Sequence, residues 1–217
     1  SNIGAVRIAQ KVGIEKYKNF LNSLELLKPI NFDLEEIGTP LSFNWGKCKL
    51  ATASYGHGIT TTPLQLARAY AILANGGFKI QPSILKKEKK FLEKREKIIS
   101  KKTSNEINLM LRKAVKQEEG TANFADVLGY EVAGKTGTAL KYGSKAKLNT
   151  FVSLFPASKP KYVLLVMLDE PKAAPNFVYK FPPSEKFPNG YKHKGEKRNT
   201  SGWNTVVVAG KIIEKIG

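Results

Sequence analysis

At Gly120 the hydrophobic periodicity of the chain changes, and this change limits the possible folds more than any other feature of the sequence. Upstream, apolar residues recur every three to four positions, the spacing that gives a helix one buried face. Downstream, Tyr130–Leu140, Asn149–Phe155 and Lys161–Leu168 read as three successive strands. Their links, Lys141–Leu148 and Pro156–Pro160, are of hairpin length, so the strands are expected to be antiparallel neighbours. A closing helix is expected over Thr205–Ile216. Helices, then an antiparallel sheet, then a terminal helix predict an α/β (α+β) fold: an antiparallel sheet flanked by helices.

Within the helical part, Ile3–Leu27 carries Val6, Ile8, Ala9, Val12, Ile14, Tyr17, Phe20, Leu21 and Leu24 at helical spacing, with Gly13 dividing it in two. Pro29–Trp45 reads as loop. Thr62-Pro63 predicts a helix start, with Thr62 as N-cap and Pro63 where a missing N–H costs nothing. That helix is expected to bury Leu64, Ala67, Ala71 and Ile72 and to stop at Asn75-Gly76-Gly77. Phe78–Leu85 is an expected strand and Lys86–Lys102 a charged connection. Thr103–Glu106 has the form of a capping box opening a further helix over Ile107, Met110, Leu111, Ala114 and Val115. Pro171–Thr200, rich in Lys, Pro and aromatics, reads as a loop insert.

The longest apolar run, Val163–Leu168, is too short to span a bilayer. Cys48 is the single cysteine, which excludes a disulfide framework, and it is read as a small buried apolar residue. Two distant histidines and one cysteine give no metal-ligand spacing, and no cofactor is expected. A net charge of +18 raises the question of an anionic partner. Of 36 basic residues only Arg7, Arg68, Arg95, Arg112 and Arg198 are Arg, the residue base readout favours, so a lysine-rich solvated surface is expected and nucleic acid is not.

Chemistry concentrates at Lys135-Thr136-Gly137-Thr138, in the first expected strand. One cation and two hydroxyls make a plausible carboxylate cradle. Gly137 would let a substrate backbone lie along the strand edge. The tripeptide alone fits a hairpin strand with a solvated lysine equally well. Two further stretches shift the balance. Ser54-Tyr55-Gly56-His57-Gly58 running on through Thr62-Pro63-Leu64-Gln65-Leu66-Ala67-Arg68 to Asn75-Gly76-Gly77 resembles a long segment of class B penicillin-binding proteins, and Val132-Ala133-Gly134-Lys135-Thr136-Gly137-Thr138-Ala139 resembles their third active-site motif. Ser1-Asn2-Ile3-Gly4 resembles the end of their Ser-x-Asn motif, and Gly202-Trp203-Asn204 with Val208–Ile213 resembles their closing helix. The Tyr55–Gly58 and Thr62–Ala71 wording is most similar to the septal, FtsI-type D,D-transpeptidases.

The resemblance implies a penicillin-binding transpeptidase, β-lactamase-like fold, with residues 1–217 as the C-terminal portion of one such domain and 171–200 an insert. It implies acyl transfer through three motifs, Ser-x-x-Lys, Ser-x-Asn and Lys-Thr-Gly. A nucleophilic Ser attacks the D-Ala-D-Ala bond of a peptidoglycan stem peptide, forming an acyl-enzyme that an amine of a neighbouring stem resolves. By position, Asn2 and Lys135 would be catalytic, while Thr136, Gly137 and Thr138 would bind the substrate carboxylate, with the Thr138 N–H as an oxyanion donor. β-Lactams would acylate the same site. Divisome membrane proteins would be partners, at the periplasmic face of an inner membrane, through an anchor upstream of Ser1. The Ser-x-x-Lys pair is likewise expected upstream, which would leave these 217 residues inactive alone. A penicillin-binding sensor without turnover, or a D,D-carboxypeptidase or β-lactamase relative, are the alternatives.

Three Ser-x-x-Lys matches, Ser83/Lys86, Ser144/Lys147 and Ser158/Lys161, are read as accidental, because a productive pair wants both residues on one helical turn. His57 and His193 are read as non-catalytic, His193 as solvated. The pairs Glu118-Glu119 and Asp169-Glu170 are expected to point apart. Phe177, Tyr179, Phe181, Phe187 and Tyr191, set among lysines, are read as part of a disordered or lid-like loop, with contact to glycan or a partner as the alternative.

Overall fold

A computed structural model describes residues 1–216 apart from 47, 87–94, 117–119 and 182. The chain divides into two compact units, Ser1–Ser104 and Asn105–Gly217.

In the first unit α1 (Asn2–Val12) and α2 (Ile14–Ser23) are separated by Gly13 at φ 83°, a left-handed conformation that a side chain would strain. Ser1 caps α1, its hydroxyl accepting from the Gly4 N–H at 3.3 Å. A short α3 (Lys49–Ala53) precedes α4 (Pro63–Ala74). Thr62 caps α4 in a complete capping box: its hydroxyl accepts from Gln65 N, and the Gln65 side-chain oxygen accepts from Thr62 N at 2.9 Å.

The buried face of α4 differs from the expected one. Ile72 is buried, but Leu64, Ala67 and Ala71 are only half-buried, and Gln65 and Arg68 are buried in their place. The reason is polar. The chain leaving α2 presents carbonyls with no helical partner. The Gln65 amide donates to the Glu25 carbonyl at 3.1 Å, and Arg68 donates to the carbonyls of Leu24 and Glu25 at 3.2 Å each. Arg68 also pairs with the Glu25 carboxylate at 2.8 Å, which Lys79 reaches from its other oxygen.

Partial burial pushes the Glu25 carboxyl up, but the Lys79 ammonium and Arg68 guanidinium outweigh it and hold it below the ordinary range. A carboxyl depressed in the folded state stabilises above its unfolded pKa and loses that contribution as pH falls through the folded value. Glu25→Gln is therefore expected to lower the melting temperature at pH 7, with the gap to wild type shrinking as pH falls below about 4. Parallel thermal melts at pH 7 and pH 3 check this; a gap independent of pH would remove Glu25 from the acid response.

Two expectations near the end of this unit need correction. Phe78–Leu85 is not a strand; only Phe78 bridges, to Lys97. The N–H groups of Ile84 and Leu85 donate to the Asp33 carboxylate instead, and the Gln81 amide donates to the Asn31 carbonyl, so a loop takes the bonds a partner strand would. The charged connection 86–102 lies partly outside the described residues. Helix α5 (Lys101–Lys116) starts earlier than expected: the Ser100 hydroxyl accepts from Thr103 N at 3.0 Å, so Ser100 caps it and Thr103 lies inside.

The second unit holds a sheet in the order β1 (Ala133–Leu140), β2 (Lys147–Phe155), β3 (Tyr162–Asp169), antiparallel throughout. Thr136 stands opposite Phe151 and Thr138 opposite Asn149. Helix α6 (Thr205–Ile216) lays Val206, Ala209 and Ile213 into a core with Phe151, Phe155 and Val166. The face of the sheet bearing Phe151, and hence Thr136 and Thr138, is thus the face toward α6.

Residues 171–200 are not simply a loop. They contain an antiparallel pair, β4 (Val178–Phe181) and β5 (Tyr191–Lys194), with Phe181 opposite Tyr191. The pair is anchored by long-range aromatic contacts that local periodicity does not carry: Tyr179 meets Trp203 at 4.8 Å and Phe124 meets Phe181 at 4.7 Å. Among the described residues no helix is long and apolar enough to cross a membrane.

Candidate functional site

β1 is an edge strand: among the described residues it pairs with β2 alone, so its outer backbone groups are open to a further strand. Strand alternation divides its polar residues between two faces. Thr136 and Thr138 face a cavity of about 390 Å³ closed by Thr121, Phe124 and the helical turn Ser201–Trp203. Lys135 and Gly137 lie on the alternate positions and do not line it. Lys135 is exposed, and its ammonium folds back to donate to the Thr136 carbonyl at 2.8 Å. A ligand laid along the open edge can therefore meet both the ammonium and the hydroxyls, whereas one confined to the cavity meets the hydroxyls only.

The hydroxyls are held in specific roles. The Ser201 N–H donates to Thr138 Oγ1 at 3.0 Å. That bond uses one lone pair of Thr138 and leaves its O–H proton to be given outward, as an anionic ligand requires. Thr136 Oγ1 lies 3.1 Å from Thr121 Oγ1. Ser201 is itself clamped: its hydroxyl donates to the Thr150 carbonyl at 2.7 Å and meets Thr205 Oγ1 at 2.7 Å. Beside it Asn149, fully buried, donates to the side-chain oxygens of Asn199 and Asn204.

Gly137 has open space on its own protein. A Cβ built there would come no closer than 3.8 Å to Thr150 O, an ordinary contact. Nothing inside the fold demands glycine at this position. Gly134, three residues earlier, is the opposite case, its Cβ falling 2.6 Å from both the Phe151 ring and the Val152 carbonyl.

Asn2 is exposed on the first turn of α1, in the other compact unit from β1. None of the three Ser–Lys matches lies on a helix: Ser83 bonds the Leu85 carbonyl, Ser144 the Ala146 N–H, and Ser158 the Glu131 carboxylate. His57 is exposed beside Tyr55. His193 is not solvated as expected. It is half-buried against the Trp203 ring at 5.4 Å, with its Nε2 on the Arg198 guanidinium. Cys48 is exposed, not buried. Asp169 and Glu170 converge rather than point apart: Glu170 leaves the strand at φ 50°, and both carboxylates reach the Lys141 ammonium, at 2.7 and 2.8 Å. Glu118-Glu119 lies outside the described residues. Among the described residues no group of three or more His, Cys, Asp or Glu could hold a metal ion.

Sequence reasoning missed Thr121, Ser201 and Asn149 as neighbours of the Lys135–Thr138 strand. Ser201 follows the expected insert and Asn149 opens an expected strand, and only the tertiary pairing joins them to Thr138.

Residues 1–182 match the penicillin binding protein transpeptidase domain family. The whole chain is 32% identical to a probable peptidoglycan D,D-transpeptidase FtsI of Caulobacter vibrioides, of which it covers 36%. Over 80% of its length it is 35% identical to the peptidoglycan D,D-transpeptidase FtsI of Buchnera aphidicola subsp. Baizongia pistaciae, covering 32% of it. Among solved structures, the transpeptidase domain of penicillin-binding protein 3 from Burkholderia pseudomallei superposes with TM-score 0.76 at 27% identity, over 99% of this chain and 62% of that one. The chain spans about a third of the length of these curated relatives.

Proposed function

Because this chain belongs to the penicillin binding protein transpeptidase domain family, we propose that it forms the carboxylate-binding half of a serine-type peptidoglycan D,D-transpeptidase active site. The observation that carries this reading is β1 itself: an open edge strand presenting an ammonium, a glycine with space above it, and two hydroxyls on an adjoining cavity.

A stem peptide ending in D-Ala-D-Ala would add along the edge of β1 as a further strand. Its terminal carboxylate would take the Thr138 and Thr136 O–H protons and the Lys135 charge. The Thr138 backbone N–H would donate to the oxyanion as the scissile carbonyl becomes tetrahedral. Asn2, at the start of α1, would bind the substrate amide, and a serine activated by lysine would supply the acyl-enzyme. D-Ala then leaves, and an amine from a neighbouring stem takes the acyl group, forming the cross-link. A β-lactam presents the same carboxylate and amide and would acylate the same serine. The FtsI relatives and the Tyr55–Gly58 wording support a septal role, with divisome membrane proteins as partners at the periplasmic face of the inner membrane.

The test is penicillin labelling of the full-length protein that carries this chain. Wild type is expected to take one penicilloyl group. Thr138→Ala, which keeps the backbone donor but loses the hydroxyl set by Ser201, is expected to be acylated at least about tenfold more slowly, the loss of one contact worth about 1.4 kcal/mol. Stopped-flow or gel-based acylation rates decide; an unchanged rate would detach Thr138 from the carboxylate.

A further inference from the structure

A second cavity, of about 620 Å³, lies in the same compact unit between the end of α5 and the β4–β5 hairpin. Its wall is aromatic. Phe181 and Tyr191, opposite one another in the hairpin, stack in parallel at 4.1 Å with 5° between planes, and Phe187 leans on Tyr191 at 4.5 Å. Phe187 and Tyr191 keep more than a third of their surface exposed. Both rings are therefore partly open to solvent.

Among the described lining residues the charged groups are Lys116, Lys186 and Asp126. Asp126 also lines the cavity, but its carboxylate is taken by Arg112 at 2.7 Å. Lys116 and Lys186 have no carboxylate partner among the described residues, Lys186 lying over the Phe187 ring at 5.8 Å. The cavity also adjoins the one on β1: Asn123, Phe124 and Phe181 line both.

We propose that this cavity is a subsite for the saccharide end of a peptidoglycan strand, extending the D,D-transpeptidase reading of β1 on which it rests. A pyranose ring presents apolar C–H faces that lie flat on aromatic side chains, and Phe187 and Tyr191 offer such faces. The peptide joined to that sugar carries carboxylates, which Lys116 and Lys186 would meet. Shared walls let one glycopeptide run from the sugar on the hairpin to the stem end on β1. The volume falls within the range of pre-formed ligand sites. Residues 171–200 thereby act as a glycan-reading element of the enzyme rather than a spacer.

The experiment is calorimetric titration of the full-length protein with two probes, a disaccharide-tetrapeptide muropeptide and the same tetrapeptide without sugar. Wild type is expected to bind the muropeptide at least about tenfold more tightly. Phe187→Ala and Phe187→Leu should each remove most of that preference and leave the affinity for the bare peptide within twofold. Phe187→Leu keeps apolar bulk in the hairpin but offers no ring face, so it reads the site even if Phe187→Ala disturbs the hairpin. Equal affinity of wild type for both probes overturns the proposal, as does a preference that survives both substitutions. Equal loss for both probes also overturns it, assigning the cavity to peptide or to support of β1. Penicillin acylation, measured alongside, separates the two readings: wild type that takes no penicilloyl group refutes the transpeptidase reading itself, whereas normal acylation with no sugar preference refutes only the subsite.

Discussion

Lys135→Ala in the full-length protein is expected to slow penicillin acylation about a hundredfold while leaving the melting temperature unchanged. The size follows from the contact being charge-assisted: a carboxylate that loses its ammonium partner in a partly dehydrated site forfeits about 2–3 kcal/mol, and each 1.4 kcal/mol is a factor of ten. The neutrality toward folding follows from exposure. Among the described residues the Lys135 ammonium bonds only the carbonyl of its own neighbour, Thr136, so nothing buried there is left unpaired when it is removed. Lys135→Arg should recover only part of the rate. Guanidinium keeps the charge, but its planar fork cannot take the compact position of the ammonium beside the strand. Acylation at the wild-type rate in Lys135→Ala, with the protein folded, would sink the assignment of this strand as the carboxylate site.

The parts of this fold that were legible in the sequence are those decided locally. Thr62-Pro63 with Gln65 writes a capping box into four residues, Gly13 breaks a helical pattern by itself, and the three-strand meander follows from two links too short for anything but hairpins. What was not legible depends on partners distant in the chain. The buried face of α4 is set by carbonyls near Glu25 some forty residues earlier, which turn Gln65 and Arg68 inward against their hydropathy. The strand pattern of Phe78–Leu85 fails at its end, where Asp33 takes the N–H groups of Ile84 and Leu85. The β4–β5 hairpin carries little alternation because its aromatics serve Trp203 and Phe124 rather than one sheet face. In the candidate site, Lys135, Thr136, Gly137 and Thr138 were legible as a motif. Their division between two faces, and the Ser201 N–H that aims the Thr138 hydroxyl, exist only once the strand is placed beside the turn before α6.

The two glycines flanking Lys135 and Thr136 give a prediction in which fold and function come apart. Gly134→Ala is expected to lower the melting temperature by about 2–12 °C, because its methyl would sit 2.6 Å from the Phe151 ring and from the Val152 carbonyl. The carbonyl belongs to a paired strand and cannot swing aside, so the clash costs the ~1–3 kcal/mol of an overpacked core, about 2–4 °C per kcal/mol at this size. Gly137→Ala meets no such obstacle, its nearest neighbour being Thr150 O at 3.8 Å, and its melting temperature should match wild type. Its acylation rate, however, should fall at least about tenfold, since the added methyl stands where a substrate backbone would close on the open edge of β1. The fold has room for a side chain at Gly137 and carries none, which leaves that room to a bound substrate. Melting curves and penicillin acylation rates of the two variants, measured side by side, test both halves. A Gly137→Ala variant that reacts as wild type would mean the space above the strand is left empty by the substrate as well. A Gly134→Ala variant of unchanged stability would mean β1 can move off β2, and the edge geometry on which the site depends would have to be redrawn.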